Sequence, residues 1–450
     1  MIIVDKALQR RAEAGQPIRV ALVGAGFIGR GVVQQIALTP GMTLVAASNR
    51  HVERALEAYR EAGLDAQEVS SQAALEANIE AGRPSVTSDA SLLCRADGVE
   101  VIIEATGTVE FAAQVVLEAL EHRKHVLLMN AELDATLGPI LKVYAERAGV
   151  ILSGADGDHP GVQVNLVRFV QGLGLEPLLC GTVKGLLDRS RTPDTQRAYA
   201  ERWGQQPHMV TSYVDGTKMA LEQASVANAT GMSVLRRGML GPHFQGPAEN
   251  ATDLFDVDAL VCAGGAVDYL LGAEPRAGVF VYARARSETQ RPYLDYLKLG
   301  SGPLYCLTKP FHLCHMEVPS SVARVALFGD AVMAPLGTPR VEVVAQAKRD
   351  LRAGETLDGI GGFTAYGVCE RADIATEDDL LPIGIANGCR LLRNVAQHQA
   401  IRYADVALPR ASSSSSPTMR FKDKLRAEQR ARFELVPQHV PQIGTNIGKG

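Results

Sequence analysis

No apolar run in the sequence reaches the roughly 18 residues that a bilayer-spanning helix needs, so no membrane is expected among its partners. Excess charge is missing too. A formal net charge of -4 gives no electrostatic case for binding nucleic acid. The seven cysteines form no CxxC pair, and an odd, scattered set suits a reducing compartment rather than a disulfide framework. The opening MIIVDKALQRRAEAGQ lacks the apolar core of a secretory signal and reads as a short amphipathic helix. A cytoplasmic location is expected, where the Asn-x-Thr triplets at Asn228 and Asn250 carry no glycosylation meaning. There is no internal repeat and no zinc spacing. His312, Cys314, His315 and Glu317 crowd into one stretch, but strand alternation would split them between two faces. No metal ligand is assigned. A weakly held magnesium or manganese ion, bound through carboxylates and substrate, would leave no signature in a sequence.

What is present is a 450-residue chain, 46% hydrophobic and 21% charged. That is the composition of a globular protein with two or three domains. From Arg19 strand and helix alternate: RVALVGAG, FIGRGVVQQIALTP, MTLVAASN, HVERALEAYREAG, VEVIIEATG, VEFAAQVVLEALEHR, KHVLLMN. The alternation predicts an α/β fold whose first domain, 1–154, is a doubly wound parallel sheet of the Rossmann type. Over 155–337 glycine and proline become dense, and polar clusters interrupt apolar text, which predicts an α+β substrate domain. Residues 338–410 have short strands and glycine-rich turns and read as a small β module. Residues 411–450 read as a linker, SSSSSP, and a tail carrying the charge-dense helix RFKDKLRAEQRARFEL.

VALVGAGFIGRGV places Gly24, Gly26 and Gly29 directly after a strand and at the start of a helix, with Phe27 and Ile28 between the last two. The first glycine permits the tight turn, the second lets backbone approach a pyrophosphate, and the third lets helix and strand pack closely. The second strand ends Ser48-Asn49-Arg50-His51, with no carboxylate to take a ribose hydroxyl pair. Asn49 and Arg50 therefore favour NADP(H) over NAD(H). EATG ends a later strand, so Thr106 and Gly107 are expected to contact the nicotinamide side. Glu104 either touches ligand or caps the next helix.

Several polar groups follow. Asn130 and Glu132 come just after a strand. GADGDHPG carries Asp156, Asp158 and His159. VKGLLDRSRTPDTQ gathers Lys184, Arg189 and Arg191. DGTKMALEQASVANATG reads as a mostly buried helix, yet its spacing aligns Asp215, Lys218, Glu222 and Ser225 on one face. Two readings stand side by side. In one, Lys184, Lys218 and the arginines form a pocket for a small anionic, phosphorylated substrate, with Asn130 and His159 as further contacts. Lys218 or Lys184 would then move protons, helped if burial lowers the lysine pKa, while Asp215, Glu222 and Glu132 complete the catalytic set. In the other, the stripe is a buried ion-pair network that fixes two domains together.

VALVGAGFIGRGVVQQI, ADGDHPGVQVNLVRFV, VKGLLDRSRTPDTQ and DGTKMALEQASVANATGM together resemble the homoserine-dehydrogenase-like oxidoreductases that carry a C-terminal SAF domain. AKRDLRAGETLDGIGGFTAYG and LPIGIANGCRLLRNVAQHQAI are similar to that module, a β-clip fold. The resemblance is strongest to the reductoisomerase-like (DRL) branch. It implies NADPH-dependent conversion of 1-deoxy-D-xylulose 5-phosphate to 2-C-methyl-D-erythritol 4-phosphate, a step of isoprenoid synthesis. It also implies, more broadly, reduction of a related small phosphorylated keto-sugar; the alternative enzyme is a homoserine dehydrogenase, acting on L-homoserine and aspartate semialdehyde. Homoserine dehydrogenases carry a lysine directly after the asparagine that matches Asn130, whereas this chain has Ala131 and Glu132. A third reading, an NADP-binding sensor without turnover, is opposed by the charged face of the Lys218 helix. A homo-oligomer is expected.

Overall fold

The computed structural model describes residues 2–411 and 418–434. The SSSSSP linker and the residues beyond 434 lie outside these. The opening residues form a helix, Ile2–Glu13. A seven-stranded sheet follows, built from β1 (Ile18–Val23), β2 (Met42–Ser48), β3 (Gln67–Glu68), β4 (Ser85–Thr87), β5 (Val101–Glu104), β6 (His125–Leu128) and β7 (Leu152–Gly154). Their order is β3-β4-β2-β1-β5-β6-β7, and every neighbouring pair is parallel. β1 and β5 are buried along almost their whole length, as strands covered by helices on both faces must be. The fold is α/β with a Rossmann-like parallel sheet, as the alternation predicts.

The second sheet is mixed. β8 (Leu175–Lys184), β9 (His243–Pro247), β10 (Ala266–Glu274), β11 (Val279–Ala285) and β12 (Tyr305–Lys309) lie in the order β12-β11-β8-β10-β9. β8, β10 and β9 run parallel, and β11 and β12 run against their neighbours. Helices His159–Gly172 and Thr217–Thr230 pack on this sheet. The second of these is buried on all sides through Asn228. That is why its composition is so small and apolar, and why its few charges need partners.

The third segment has only a small apolar cluster of its own, around Val344, Tyr366, Val368 and Leu380, and shares the rest of its core. Its hairpin, β13 (Val341–Ala347) and β14 (Ala365–Arg371), contributes Val341, Val343, Ala345 and Cys369 to one apolar cluster shared with Met219, Leu221 and Val267 of the middle region. It also contains two short helices, Ala372–Glu377 and Ile383–Ala386, so it is not all β. Two later segments return to the first sheet. Helix Val318–Phe328 inserts Val318 and Val322 among Val20 and Leu22. The tail helix, Phe421–Glu434, places Leu425 beside Leu133 and Leu137. Its first turn is capped from across the chain: the Glu110 carboxylate accepts the N–H groups of Phe421 at 2.8 Å and Lys422 at 3.0 Å. Further along, Gln429 accepts from the Ile140 N–H at 3.2 Å and donates to the Thr136 carbonyl at 3.3 Å. It does so beside Pro139, which sits inside helix Ala131–Ala148 and has no N–H to give that helix. No helix among the described residues is long and apolar enough to cross a membrane.

Candidate functional site

The ends of β1, β5, β6 and β7 share one edge of the parallel sheet, where ligands collect in open α/β folds. After β1, Gly24 turns with φ +103° and lies so close to Ala105 that a Cβ would stand 2.9 Å from its carbonyl oxygen. A Cβ at Gly29 would meet the Gly24 carbonyl at 2.0 Å, whereas one at Gly26 would have nothing within 4 Å. The turn is closed at its first and third glycines and open at the second, which is the shape a pyrophosphate requires. Helix Phe27–Ala37 begins there, with Phe27 exposed and Ile28 half-buried. Asn49 closes the same turn. Its Oδ1 accepts the Ala25 N–H at 3.1 Å and its Nδ2 donates to the His51 carbonyl at 2.8 Å. Arg50 beside it is exposed.

At the end of β5, the Glu104 carboxylate accepts the Thr106 N–H at 2.8 Å, the Thr106 hydroxyl, and the Asn130 amide at 2.8 Å. Burial pushes this carboxyl up to about 7 against those bonds. Glu104 therefore shapes the Thr106–Gly107 loop from beneath. Asn130 is equally occupied. It donates also to the Thr108 carbonyl at 2.8 Å and caps helix Ala131–Ala148 by accepting from Leu133 at 3.0 Å. Both amide hydrogens are spent within the protein. This corrects the expectation of a substrate contact at Asn130, which positions the loop and the helix instead.

That capped helix carries Glu132 into the crevice, where both carboxylate oxygens lie 3.0 Å from Nζ of Lys218. Burial alone would push the Lys218 ammonium down. Glu132, with Asp158 and Glu222 beyond it, outweighs burial and holds the group above the ordinary lysine range. Burial is thus not what sets the Lys218 pKa, contrary to expectation: the facing Glu132 carboxylate favours the ammonium. Its neighbours on the stripe have other partners. Asp215 pairs with Lys348, 2.8 Å away. Glu222 Oε2 lies 3.4 Å from Nδ1 of His159. Burial opposes ionisation of Glu222, yet His159, Lys184 and Lys218 prevail and bring its carboxyl down to about 2. Ser225 faces Asp134, whose carboxyl burial pushes up to about 6.

His159 begins helix His159–Gly172, capped by Asp158. Its ring stacks on His312 with centroids 3.6 Å apart. Its Nε2 is buried and has no hydrogen-bond partner in the protein. Lys184 ends β8, half-buried, near enough to act on Glu222. Arg189 donates to the Asp215 carbonyl at 2.7 Å, and Arg191 to Asp188 at 2.8 Å. The stripe is a set of buried ion pairs, Asp215 with Lys348, Lys218 with Glu132 and Glu222 with His159. Asp156 is likewise paired, with Arg324 at 3.3 Å. The histidine-rich stretch does not form a metal centre: His312 stacks on His159, His315 packs against Gly31, and Glu317 pairs with Lys309 at 2.8 Å. Among the described residues no group of three or more His, Cys, Asp or Glu side chains is arranged to hold a metal ion.

Sequence reasoning missed three members of the site. Tyr213 lies within the field of Lys218, Glu132, Glu222 and Asp158, and burial pushes its phenol up to about 12. Its only signal was its place two residues before Asp215. Asp134 carried a signal, lying two residues after Glu132 in the same helix. Lys348 carried none.

A glycine turn closed at its first and third glycines and open at its second, at the edge of a parallel sheet, is built for a dinucleotide, and the chain is an NAD(P)-dependent oxidoreductase. Comparison narrows the class. Residues 24–153 match the homoserine dehydrogenase NAD-binding domain, and residues 157–318 match the catalytic domain of oxidoreductase DRL. The chain is an NAD(P)-dependent oxidoreductase with a match to each of these two domains. No curated protein matches it. Among solved structures it is similar to a 1-deoxy-D-xylulose 5-phosphate reductoisomerase from Zymomonas mobilis in complex with NADPH, at 16% identity over 47% of this chain and 58% of that one, TM-score 0.35. It is similar to a scyllo-inositol dehydrogenase from Lactobacillus casei with bound NAD(H) and scyllo-inositol, at 13% identity over 60% and 66%, TM-score 0.32. An oxidoreductase from Agrobacterium radiobacter in complex with NAD+, L-tartaric acid and magnesium matches at 16% identity over 44% and 54%, TM-score 0.28. Scores at this level decide nothing about substrate.

Proposed function

We propose that this oxidoreductase uses NADPH to reduce a small phosphorylated keto-sugar, with conversion of 1-deoxy-D-xylulose 5-phosphate to 2-C-methyl-D-erythritol 4-phosphate as its sharpest form. The observation that carries the reading is the charge arrangement beside the cofactor crevice. Lys218 is locked as a cation by Glu132, and the strand end and loop that follow it in space supply Lys184, Arg189 and Arg191. Arginines offer forked bonds to phosphate oxygens. Asn49 and Arg50, in place of a carboxylate, support NADPH over NADH. Residues 338–410 are taken as the SAF-type module, and the assembly as a homo-oligomer.

The residues divide the work as follows. Gly24, Gly26 and Gly29, with Thr106 and Gly107, would hold the dinucleotide, which supplies a hydride when bound. The Lys218 ammonium stabilises negative charge that develops on a carbonyl oxygen, a preorganised electrostatic role rather than proton transfer. Proton movement falls to His159. Glu222 orients its Nδ1, and its Nε2 is left without a protein partner, as a general acid or base should be. Among the described residues no cluster of metal ligands is arranged, and no step is assigned to a metal.

The test is NADPH oxidation followed at 340 nm with 1-deoxy-D-xylulose 5-phosphate, with and without magnesium, beside NADP reduction with L-homoserine. Oxidation in the first arm, lost in Lys218→Ala while NADPH binding persists, supports the proposal. Turnover in the homoserine arm alone would overturn it.

A further inference from the structure

Asp215 is fully buried. Its obvious neutraliser, Lys218, is committed to Glu132, so its counter-charge comes from the third segment of the chain. Lys348 follows β13 and is only 5% exposed. Its Nζ lies 2.8 Å from Asp215 Oδ2, and it donates to the carbonyls of Arg191 and Gly362, each at 2.7 Å. Three oxygens from three separate segments surround one ammonium. A buried ammonium is tolerated only with such compensation.

Asp215 passes the constraint on. Its Oδ1 accepts the Thr217 N–H at 2.8 Å at the start of the Lys218 helix, and its carbonyl accepts Arg189 at 2.7 Å. The Arg189 guanidinium also lies 4.7 Å over the ring of Tyr366 in β14. One arginine of the cationic loop is thus held through its guanidinium and the other through its backbone carbonyl. Both holds lead to the third segment.

We infer that Lys348 is a positioning residue of the anion subsite: it fixes the loop carrying Arg189 and Arg191 against the first turn of the Lys218 helix. The inference rests on the proposed reading of that loop as the substrate's phosphate site. It gives the third segment a task that packing alone does not require. A buried pair that serves only packing can be replaced on both sides by uncharged groups with little effect. A positioning residue cannot.

The experiment uses the full-length chain with Lys348→Met and with the double variant Asp215→Asn, Lys348→Met. Three quantities are measured: NADPH affinity, hydrogen exchange, and binding of inorganic phosphate by calorimetry. In the wild type the amides of Asp188 and Arg191 are hydrogen-bonded, to Val214 and Asp188. In both variants NADPH affinity should stay within about twofold, while exchange at 188–191 rises about tenfold or more and phosphate binding weakens by a similar factor. The double variant removes the unpaired Asp215 charge, so it decides the matter if the single variant does not fold. Wild-type exchange at 188–191 in the double variant would overturn the inference. Failure of the substrate reading looks different: Arg189→Ala and Arg191→Ala would leave phosphate binding unchanged, and exchange would still decide the role of Lys348.

Discussion

Glu132 and Lys218, 86 positions apart in the chain, meet with both carboxylate oxygens 3.0 Å from one ammonium. The pair joins the first helix after β6 to the buried helix of the middle domain, so it reports on whether the two are correctly placed. Replacing Lys218 by Met should lower kcat by about a hundredfold or more, the scale of losing one preorganised charge, with NADPH affinity little changed. Glu132→Gln is the more telling variant. Without Glu132 the burial of Lys218 is opposed only by the more distant Asp158, Glu222 and Tyr213, and its pKa falls. Activity that needs the ammonium is then lost as pH rises through the lowered value. The pH–rate profile should acquire a new alkaline limb that the wild type lacks over the same range.

The glycine turn separates a binding effect from a folding effect. Gly26→Ala meets nothing within 4 Å, so the variant should melt at the wild-type temperature while NADPH affinity, measured by fluorescence titration, falls by about tenfold or more. Gly29→Ala would put a Cβ 2.0 Å from the Gly24 carbonyl and should destabilise the protein. Equal melting temperatures for the two variants would contradict the packing described for the turn.

Asn130→Ala should act on stability and not on substrate affinity. It removes a helix cap and leaves a Glu104 oxygen without its donor, together about 2–4 kcal/mol in urea unfolding. A normal unfolding midpoint with a raised KM would restore Asn130 as a substrate contact.

Asn49→Asp should turn the coenzyme preference. The acceptor role toward Ala25 survives, and the new carboxylate suits a ribose hydroxyl pair and repels a 2′-phosphate. The ratio of kcat/KM for NADPH to that for NADH should fall by about tenfold or more. An unchanged ratio would place the phosphate elsewhere.

The first domain was the legible part, because its signals are local. The glycine spacing, the helix after it and the strands RVALVGAG, MTLVAASN and KHVLLMN are each specified by a few adjacent residues, and the structure has them where the alternation puts them. Short elements such as β3, of two residues, and β4, of three, are too brief to show a period. The Lys218 face was legible as a face, since helical spacing is also local. Its partners were not. Lys348 is an unremarkable lysine in AKRDL until the fold brings it to Asp215, and Glu132 could be read only as a carboxylate after a strand. Burial by itself points to a lowered Lys218 pKa, and only the fold brings the opposing Glu132 charge to it.

Gln429 gives the molecule a direction in time. Its amide meets Ile140 and Thr136 across 289 and 293 positions. During synthesis at roughly 5–20 residues per second, the first domain emerges roughly 15–60 seconds before the side chain that bridges its proline-interrupted helix. Helix Val318–Phe328, which completes the core around β1, also arrives late. The cofactor domain therefore cannot finish as an independent unit while the rest is being made, and a nascent chain stalled before Phe421 should bind NADPH with its glutamate helix still incompletely held.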